Sequence, residues 1–279
     1  MLSSQDISSH LCTATDSCSG KIAGGERRSS SGSGVLVINA DDWGCDAETT
    51  DRILECIRHG VVSSTSAMAF MADSERGAAL AQENGVDAGL HLNLTTPFSA
   101  PGVPDRLLDH QRRIAQFLRR NRFAQALFHP GLAGSFRYVV TAQLEEFQRL
   151  FGMRPARIDG HHHMHLASNV LFGGLLPAGT TVRRSFSFQP GEKSFANRLY
   201  RHFIDRRLAR RHCVTDLFFS LPPLEPPDRL QRIAALSRDA VIELETHPVR
   251  PDEYRFLMNG EIFRLASDLQ IAHGYAVPA

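Results

Sequence analysis

The sequence of 279 residues has no apolar run of the roughly 18 to 20 residues that a membrane-spanning helix needs. Its first residues also lack the basic and then apolar order of a signal peptide, so we expect a cytoplasmic protein without a transmembrane segment. Cysteine is scarce: the five cysteines are scattered without a Cys-x-x-Cys pair, which favours reduced thiols over a disulfide framework. The net charge of only +1 gives no general attraction to nucleic acid, and no such partner is expected.

Residues 1–34 also lack the apolar periodicity that a packed core requires. This segment is rich in Ser and Gly and is predicted to be a disordered tail. From Val35 onward, short apolar runs alternate with amphipathic segments, which is the pattern of repeated β-α units around a mostly parallel sheet. We therefore predict one α/β domain over residues 35–279, with about seven mostly parallel strands.

The individual elements follow from the same patterns. Asp46 and Gly60 are predicted to begin and end the first helix. Strands are predicted at residues 35–38, 61–70, 89–94, 157–159, 181–183, 214–219 and 241–245, and later helices at 137–151, 194–211, 227–237 and 261–270. In such folds the reacting groups gather at the carboxyl ends of the strands, and several unusual polar residues of this sequence lie at those ends.

Two adjacent carboxylates, Asp41 and Asp42, follow the first predicted strand. Their mutual repulsion disfavours the ionisation of both unless a cation is present. Acidic residues are also common at the N-terminus of a helix, where they cap it. The pair alone therefore does not distinguish a functional site from a helix cap.

Four histidines in five positions, His161, His162, His163 and His165, follow a short predicted strand. Packing explains such a cluster poorly, whereas imidazole is a common neutral metal ligand. Asp159 is placed to orient one of these imidazoles through a hydrogen bond. The cluster predicts a metal or catalytic site, but it does not indicate which histidine binds.

One more histidine, His91, lies in a predicted strand of strict alternation, which places it with Asn93 on the face opposite three leucines. Together with Asp42 and His161, it would complete a site of two histidines and one carboxylate. Such a site leaves coordination positions for water and substrate, as catalytic metals require.

Three further features each allow more than one interpretation. His247 ends the last predicted strand and suits a general acid, although a lone histidine before a proline is more often structural. Trp43 is predicted either to stack on a sugar ring or to pack in the core. The predicted helix at 194–211 combines apolar residues at helical spacing with many arginines. This pattern indicates a solvated face, or contact with an anionic polysaccharide, a phosphorylated sugar carrier or a membrane surface.

Taken in order, four motifs resemble the YdjC-like family of chitooligosaccharide deacetylases, which includes hopanoid-associated members. The motifs are Asn39-Ala-Asp-Asp-Trp-Gly44, Gly89-Leu-His-Leu-Asn-Leu-Thr95, Asp159-Gly-His-His-His-Met-His165 and Glu245-Thr-His-Pro248. The resemblance extends from about Val35 to His247. It implies a distorted (β/α) barrel and the metal-dependent hydrolysis of the N-acetyl group of an amino sugar, with release of acetate.

The resemblance also implies a role for each matching residue. One divalent ion, Mg²⁺ or Zn²⁺, would be held by Asp42, His91 and His161. Asp41 would be the general base that activates the attacking water, and His247 the general acid. Further candidates for orienting these groups or binding the substrate are Arg183, Asp159, His163, His165, Trp43 and Asn93.

Other functional classes stay open at this point. A glycoside hydrolase could use Asp41 and Glu245 as its two carboxylates, but it would leave the histidines without a role. A metal-dependent phosphoesterase explains the Asp and His ligands, although it more naturally uses two metals. A non-catalytic sugar-binding protein would need no base or acid beside the metal. The expected partner is an N-acetylated sugar, free or carried on a lipid or nucleotide, and a homodimer is a candidate assembly.

Overall fold

The structure is a computed structural model that describes residues 34–121, 123–188, 192–265 and 271–275. Residues 1–33, nearly all of the predicted tail, lie outside the described residues. Cys45, Cys56 and Cys213 form no disulfide within this part of the chain, as the scattered cysteine pattern predicts.

Within the described part of the chain, seven strands form one parallel sheet. They are β1 (Val35–Trp43), β2 (Ser64–Ala67), β3 (Ala88–Leu92), β4 (Arg157–Gly160), β5 (Thr181–Val182), β6 (Leu217–Ser220) and β7 (Val241–Thr246). Their order is β5-β4-β3-β2-β1-β7-β6, with every neighbouring pair parallel. The sheet curls into an open, distorted barrel with β5 and β6 at its edges, and the predicted fold class is confirmed.

Helices follow most of the strands. They are α1 (Ala47–Arg58), α2 (Ser74–Asn84), α3 (Asp105–Arg119), α4 (Ala133–Phe151), α5 (Ser168–Phe172), α6 (Phe195–Leu208), α7 (Asp228–Leu236), α8 (Pro251–Met258) and α9 (Glu261–Arg264). Short 3₁₀ segments lie at Ala124–Ala126, Pro130–Leu132 and His161–Leu166. Among the described residues, no helix has the length and apolar character needed to cross a bilayer.

The ends of α1 show why local sequence predicts an element. Asp46 accepts a hydrogen bond from the backbone N–H of Thr49 at 2.8 Å, and this satisfies one of the unpaired donors of the first turn. Gly60, two residues beyond the helix, adopts a left-handed φ of +71°. The predicted start is confirmed, and the predicted glycine lies in the turn that follows the helix.

The sequence patterns did not predict α3, α5 or α8, and several element bounds differ from those predicted. The buried residues of α3 include the polar Gln111 between Leu107 and Ile114, so the apolar stripe is interrupted. The strand predicted at 61–70 is limited to Ser64–Ala67. The helix predicted at 261–270 ends at Arg264 where it is described, and residues 266–270 lie outside the described part of the chain.

Alternation along the strands separates an apolar layer from a polar one. In β7, Ile242 and Leu244 join the hydrophobic core between sheet and helices, whereas Glu243 and Glu245 point to the other side of the sheet. In β1, Ile38 likewise joins that core. The concave side of the sheet is therefore lined with buried charged groups, and the candidate site is built on it.

Candidate metal and catalytic site

A β-bulge at the end of β1 lets two successive carboxylates enter one site. β1 is in regular register with β2 up to Ala40 and has shifted by one residue at Trp43. Within the bulge, Asp42 adopts a left-handed φ of +73°. Successive residues of a regular strand point to opposite faces. The extra residue instead leaves Asp41 3.9 Å and Asp42 3.2 Å from nitrogens of the same His91.

Three side chains predicted to hold a metal, Asp42, His91 and His161, converge at this point. Asp42 Oδ1 lies 3.2 Å from His91 Nε2 and 2.9 Å from His161 Nδ1. One donor atom from each residue lies within 4.8 Å of the others. Asp159 Oδ1 accepts a hydrogen bond of 2.6 Å from His91 Nδ1, which turns Nε2 toward the site. A divalent ion fits this set of two imidazoles and one carboxylate. The second carboxylate, Asp159, orients one of the imidazoles.

The charges around this set also favour a cation. Burial disfavours a charged imidazole, but Asp41, Asp159 and Asp42 outweigh that effect and raise the pKa of His91 well above its usual value. Burial likewise opposes a charged Asp42, yet its hydrogen bonds with His161 and His91 hold the pKa of that carboxyl well below its usual range. The pocket therefore stabilises positive charge beside Asp42.

Arg183, which follows β5, is completely buried and faces four carboxylates. It donates two hydrogen bonds of 2.7 Å to the two oxygens of Asp41 and one of 2.7 Å to Glu243. It also lies 3.2 Å from Asp159 and 3.3 Å from Glu245. Burial opposes the charge of this arginine, but Asp159 and Asp41 outweigh it and raise the pKa of Arg183. Its planar fork fixes both oxygens of Asp41 at once.

His247 lies at the end of β7, on the other side of Asp41. Donor atoms of Asp41, Glu245 and His247 lie within 4.8 Å of one another, and His247 Nδ1 is 4.0 Å from Glu245 Oε1. Burial, and next to it the charge of Asp41, raise the pKa of Glu245 well above its usual value. The backbone N–H of His247 donates a 2.8 Å hydrogen bond to Glu253 Oε2, which positions the residue after the strand.

The remaining histidines of the cluster point to different neighbours. His162 and His163 adopt left-handed φ values of 55° and 57°, so the chain turns sharply within the cluster. His162 Nδ1 lies 3.0 Å from Thr95 Oγ1, and His163 Nε2 lies 3.6 Å from Glu245 Oε2. Of the three consecutive histidines, the first is therefore the one whose side chain reaches Asp42.

His165 packs behind the site rather than in it. It is fully buried, and its Nε2 donates a 2.9 Å hydrogen bond to the backbone carbonyl of Arg183. Burial lowers the pKa of His165 to about 4, so the ring is neutral at pH 7 and Nε2 carries the proton of that bond. Its contact is with the segment that carries Arg183.

The structure corrects the stacking alternative for Trp43 and clarifies the position of Asn93. Trp43 is only 1% exposed and its Nε1 donates a 2.9 Å hydrogen bond to the carbonyl of Gly77, so the ring packs in the core. The bulge in β1 directs this side chain away from the carboxylates. Asn93 is buried, and its Oδ1 accepts from the backbone N–H groups of Thr95 and Thr96. It shapes the turn after β3.

Several residues of the site were not singled out from the sequence. Asn39 donates hydrogen bonds to Asp41 at 2.8 Å and to Ser66 at 2.7 Å, and Ser66 donates one of 2.5 Å to Asp159. Alternation along β7 places Glu243 on the same face as Glu245, but no sequence pattern identified Arg183 as its partner. The contacts of Ser66 with Asn39 and Asp159 have no local signal, because these partners are 27 and 93 positions away in the chain.

This chain resembles known proteins in sequence. A family model described as YdjC-like protein matches residues 35–269. A chitooligosaccharide deacetylase of Yersinia enterocolitica is 32% identical over 171 residues, 60% of this chain and 60% of that protein. A chitooligosaccharide deacetylase of Serratia marcescens is 33% identical over 141 residues, 49% of this chain and 52% of that protein. The matches thus span between half and two thirds of these relatives' lengths.

A solved structure shares the fold at low sequence identity. It is a protein of Enterococcus faecalis V583 named as a proposed cellobiose-phosphate cleavage protein. The two chains are 18% identical, and their superposition has a TM-score of 0.61 over 86% of this chain and 97% of the other. This likeness concerns the fold alone.

Proposed function

This chain belongs to the YdjC-like family, and we propose that it is a metal-dependent carbohydrate deacetylase, which hydrolyses the N-acetyl group of an amino sugar and releases acetate. The observation that carries the proposal is the meeting of Asp42, His91 and His161 with Asp41 and His247 at one edge of the sheet. The relatives named chitooligosaccharide deacetylases support the same substrate class. Free chitooligosaccharides and carrier-linked N-acetylated sugars are both candidate substrates.

Amide hydrolysis needs a polarised carbonyl, a base for water and an acid for the amine. Asp42, His91 and His161 would hold one divalent ion, Mg²⁺ or Zn²⁺. Such an ion, when bound, polarises an acyl oxygen and acidifies water. Asp41 then accepts the proton of the attacking water, and His247 gives a proton to the departing amine. Water therefore supplies the hydroxyl of acetate and one proton of the free amine.

The surroundings of Asp41 suit a general base. Arg183 and Asn39 hold its carboxylate in one orientation. Oδ1 accepts from both residues, whereas Oδ2 accepts one 2.7 Å bond from Arg183. An ionised carboxylate oxygen has two lone pairs. Oδ2 therefore retains a lone pair that can take a proton.

The alternative classes fit the charge distribution less well. A two-metal phosphoesterase would need a second cation beside the first. The other carboxylates near the metal set, Asp41 and Asp159, are already bound by Arg183, whose positive charge disfavours a second cation there. A glycosidase pair of Asp41 and Glu245 would share that same arginine. One ion with one base therefore accounts for these residues most simply.

Acetate release is the direct test of the proposed reaction. The purified protein is incubated with N-acetylated chitooligosaccharides and with carrier-linked N-acetylated sugars, and acetate is measured before chelation, after chelation and after restoring Mg²⁺ or Zn²⁺. We expect acetate from at least one substrate, loss of activity on chelation and recovery with metal. If no substrate releases acetate under any of these conditions, the proposal is wrong.

Replacing Asp41 by Asn tests the general base. The substitution keeps the size of the side chain but removes the proton acceptor, so kcat should fall by about 10²- to 10⁴-fold. Metal affinity, measured by calorimetry, should remain, because the three proposed ligands are intact. The exposed Asp109→Asn is the matched control and should leave kcat unchanged. Unchanged turnover of the Asp41 variant would exclude this role.

A further inference from the structure

Helix α6 turns large apolar side chains toward solvent. Ile204 and Leu208 on one side are buried, whereas Phe195, Leu199 and Phe203 are 77%, 58% and 54% exposed. These three residues are four positions apart, so they form one stripe, on the side of the helix opposite Ile204 and Leu208. A surface helix normally faces water with polar residues. We call this stripe the exposed apolar face of α6.

Apolar exposure is concentrated in this region. Seven of the eleven exposed large hydrophobic side chains among the described residues lie in α6 or in the segment at 123–128. They are Phe123, Leu127, Phe128, Phe195, Leu199, Tyr200 and Phe203. Scattered apolar residues on a surface need no explanation, but a cluster of this kind is typical of an interaction site.

Positive charge is concentrated at the same place. Between Lys193 and Arg211 the chain has seven basic residues and one acidic residue, although the net charge of the whole protein is only +1. The one acid, Asp205, is bound by Arg184 at 2.9 Å and by Ser185. Arg198 and Arg206 are exposed beside the apolar stripe. The surface therefore offers aromatic groups and cations together.

The position of α6 connects this surface to the candidate site. Asp205 accepts a 2.9 Å hydrogen bond from the backbone of Ser185, beyond the carboxyl end of β5, whereas the carbonyl of Arg211 accepts one from Gly179, before that strand. The helix thus runs antiparallel to β5. At 1.5 Å per residue, Phe195 lies about 15 Å further along the axis than Asp205, past the carboxyl edge of the sheet.

A cleft of about 600 Å³ lies between the two apolar segments. Tyr200 and Arg201 of α6 line it together with Phe123 and Gln125. Gln125 also donates a 3.2 Å hydrogen bond to the backbone carbonyl of His163, in the histidine cluster. The exposed surface and the site therefore share one edge of the molecule.

We propose that the exposed apolar face of α6 and its flanking arginines dock on the surface of an anionic lipid bilayer. Phe and Leu side chains on one face of a helix insert at the boundary of headgroups and acyl chains, and arginines beside them bind lipid phosphates. Docking in this way requires no membrane-spanning helix. It would turn the edge that carries Asp41 and His247 toward the bilayer, whatever reaction the site performs.

Two other occupants fit the surface less well. A second copy of this chain would bring the same cluster of arginines against itself, and like charges across an interface repel. A soluble anionic polysaccharide would be attracted by the arginines but would leave Phe195 and Leu199 without an apolar partner. Of these three occupants, the bilayer surface is the one that uses both the apolar groups and the positive charge of the face.

Vesicle sedimentation tests the proposal with the full chain. Vesicles of phosphatidylcholine alone are compared with vesicles that also contain phosphatidylglycerol. We expect binding to the anionic vesicles to be about tenfold stronger or more, and to weaken as salt is raised. Phe195→Ser, Leu199→Ser and Phe203→Ser combined should reduce that binding at least about tenfold, because apolar insertion is lost. Arg198→Gln with Arg206→Gln should remove the preference for anionic lipid.

The matched control lies near the amino ends of the strands, opposite the strand ends that carry the candidate site. Met153, which is 66% exposed, and the exposed Arg154 precede β4, and Met153→Ser with Arg154→Gln should leave vesicle binding unchanged. Circular dichroism checks that every variant is folded. Equal binding to neutral vesicles, no binding to either kind, or binding that the α6 variants do not change would overturn the proposal. So would a dimer in light scattering that the apolar variant abolishes, which would identify a second copy as the occupant.

Discussion

At the scale of single residues, one arginine organises the charges of the candidate site. Arg183 contacts Asp41, Asp159, Glu243 and Glu245, and neither its side chain nor those of Asp159 and Glu243 reach solvent. Breaking a buried ion pair by removing one partner costs about 3–5 kcal/mol, because the remaining charge is left without compensation. Burial, opposed by Arg183, raises the pKa of Glu243, whereas the pKa of Asp159 is lowered. The positive charge of Arg183 therefore does not stabilise the ionised form of every carboxylate equally.

We expect Asp159 to strengthen metal binding by Asp42, His91 and His161. Burial opposes its charge, but Arg183 and the hydrogen bond with His91 hold the pKa of Asp159 well below its usual range. The ionised carboxylate then orients the His91 ring. Asp159→Asn keeps the shape and removes the charge, and metal affinity measured by calorimetry should fall about 10- to 100-fold.

The exposed Asp109→Asn serves again as the control and should leave metal affinity unchanged. The comparison is made at equal folded fraction, checked by thermal unfolding. If Asp159→Asn binds Mg²⁺ and Zn²⁺ as tightly as the original chain, the orientation of His91 does not depend on this carboxylate.

At the scale of elements, the site depends on how strands end. β1 ends in a bulge that carries Asp42, β4 leads directly into the histidine cluster, and β7 ends just before His247. The last of these ends is held by α8. Glu253 of α8 is fully buried and accepts hydrogen bonds from Thr246 Oγ1 at 2.9 Å and from the His247 backbone at 2.8 Å.

Removing the contact between Glu253 and the end of β7 should displace His247, the proposed general acid, without changing metal affinity. Glu253→Ala leaves the buried Thr246 hydroxyl and the His247 backbone N–H without their acceptor, so the free energy of unfolding should fall by about 1–3 kcal/mol. A displaced His247 should lower kcat for acetate release by about 10- to 100-fold. Metal affinity should remain. Glu253→Gln retains an acceptor oxygen and should recover most of kcat, whereas equal losses in both variants would contradict a positioning role.

At the scale of the whole molecule, the outer face of the sheet is apolar and packs against the helices, whereas the concave inner face is lined with charged groups. Tyr275, from the described residues 271–275, enters this inside: its hydroxyl donates a 2.5 Å hydrogen bond to Glu243, and its ring lies 4.2 Å from the guanidinium of Arg157. Burial and the neighbouring Glu243 raise the pKa of Tyr275 well above its usual value. Such an interior couples the stability of the fold to the protonation of its groups.

His165 should make the stability of the whole fold depend on pH. Its pKa is about 4 in the folded chain and about 6.5 when unfolded, so between these values the unfolded chain binds the extra proton. The free energy of unfolding should therefore rise with pH across this window, by about 3 kcal/mol from this one group. The contribution is complete above pH 6.5 and lost as the pH falls toward 4.

Denaturant unfolding at several pH values, with a chelator present, measures this dependence. His165→Asn has no titrating ring, so its unfolding free energy should rise less steeply between pH 4 and 6.5 than that of the original chain. A general loss of stability at every pH would reflect packing and does not affect the comparison of slopes. Identical slopes would show that His165 is not kept neutral by burial.

The amino-acid sequence by itself determined the alternation of strands and helices, and with it the parallel sheet and the strand ends at which the candidate ligands lie. These features depend on local periodicity and capping, as the Asp46 cap shows. Tertiary structure decided which groups meet. Arg183 reaches carboxylates that are 24 to 142 positions away in the chain, and no local pattern encodes such contacts.

The tertiary structure also decided which way individual side chains point. Trp43 follows the carboxylates in the chain, yet the bulge in β1 turns its ring into the core. The apolar residues of α6 have helical spacing in the sequence, but only packing shows that Ile204 and Leu208 are buried and Phe195, Leu199 and Phe203 are not. A periodic pattern specifies that a helix has faces. Which face is covered depends on the elements that pack against it.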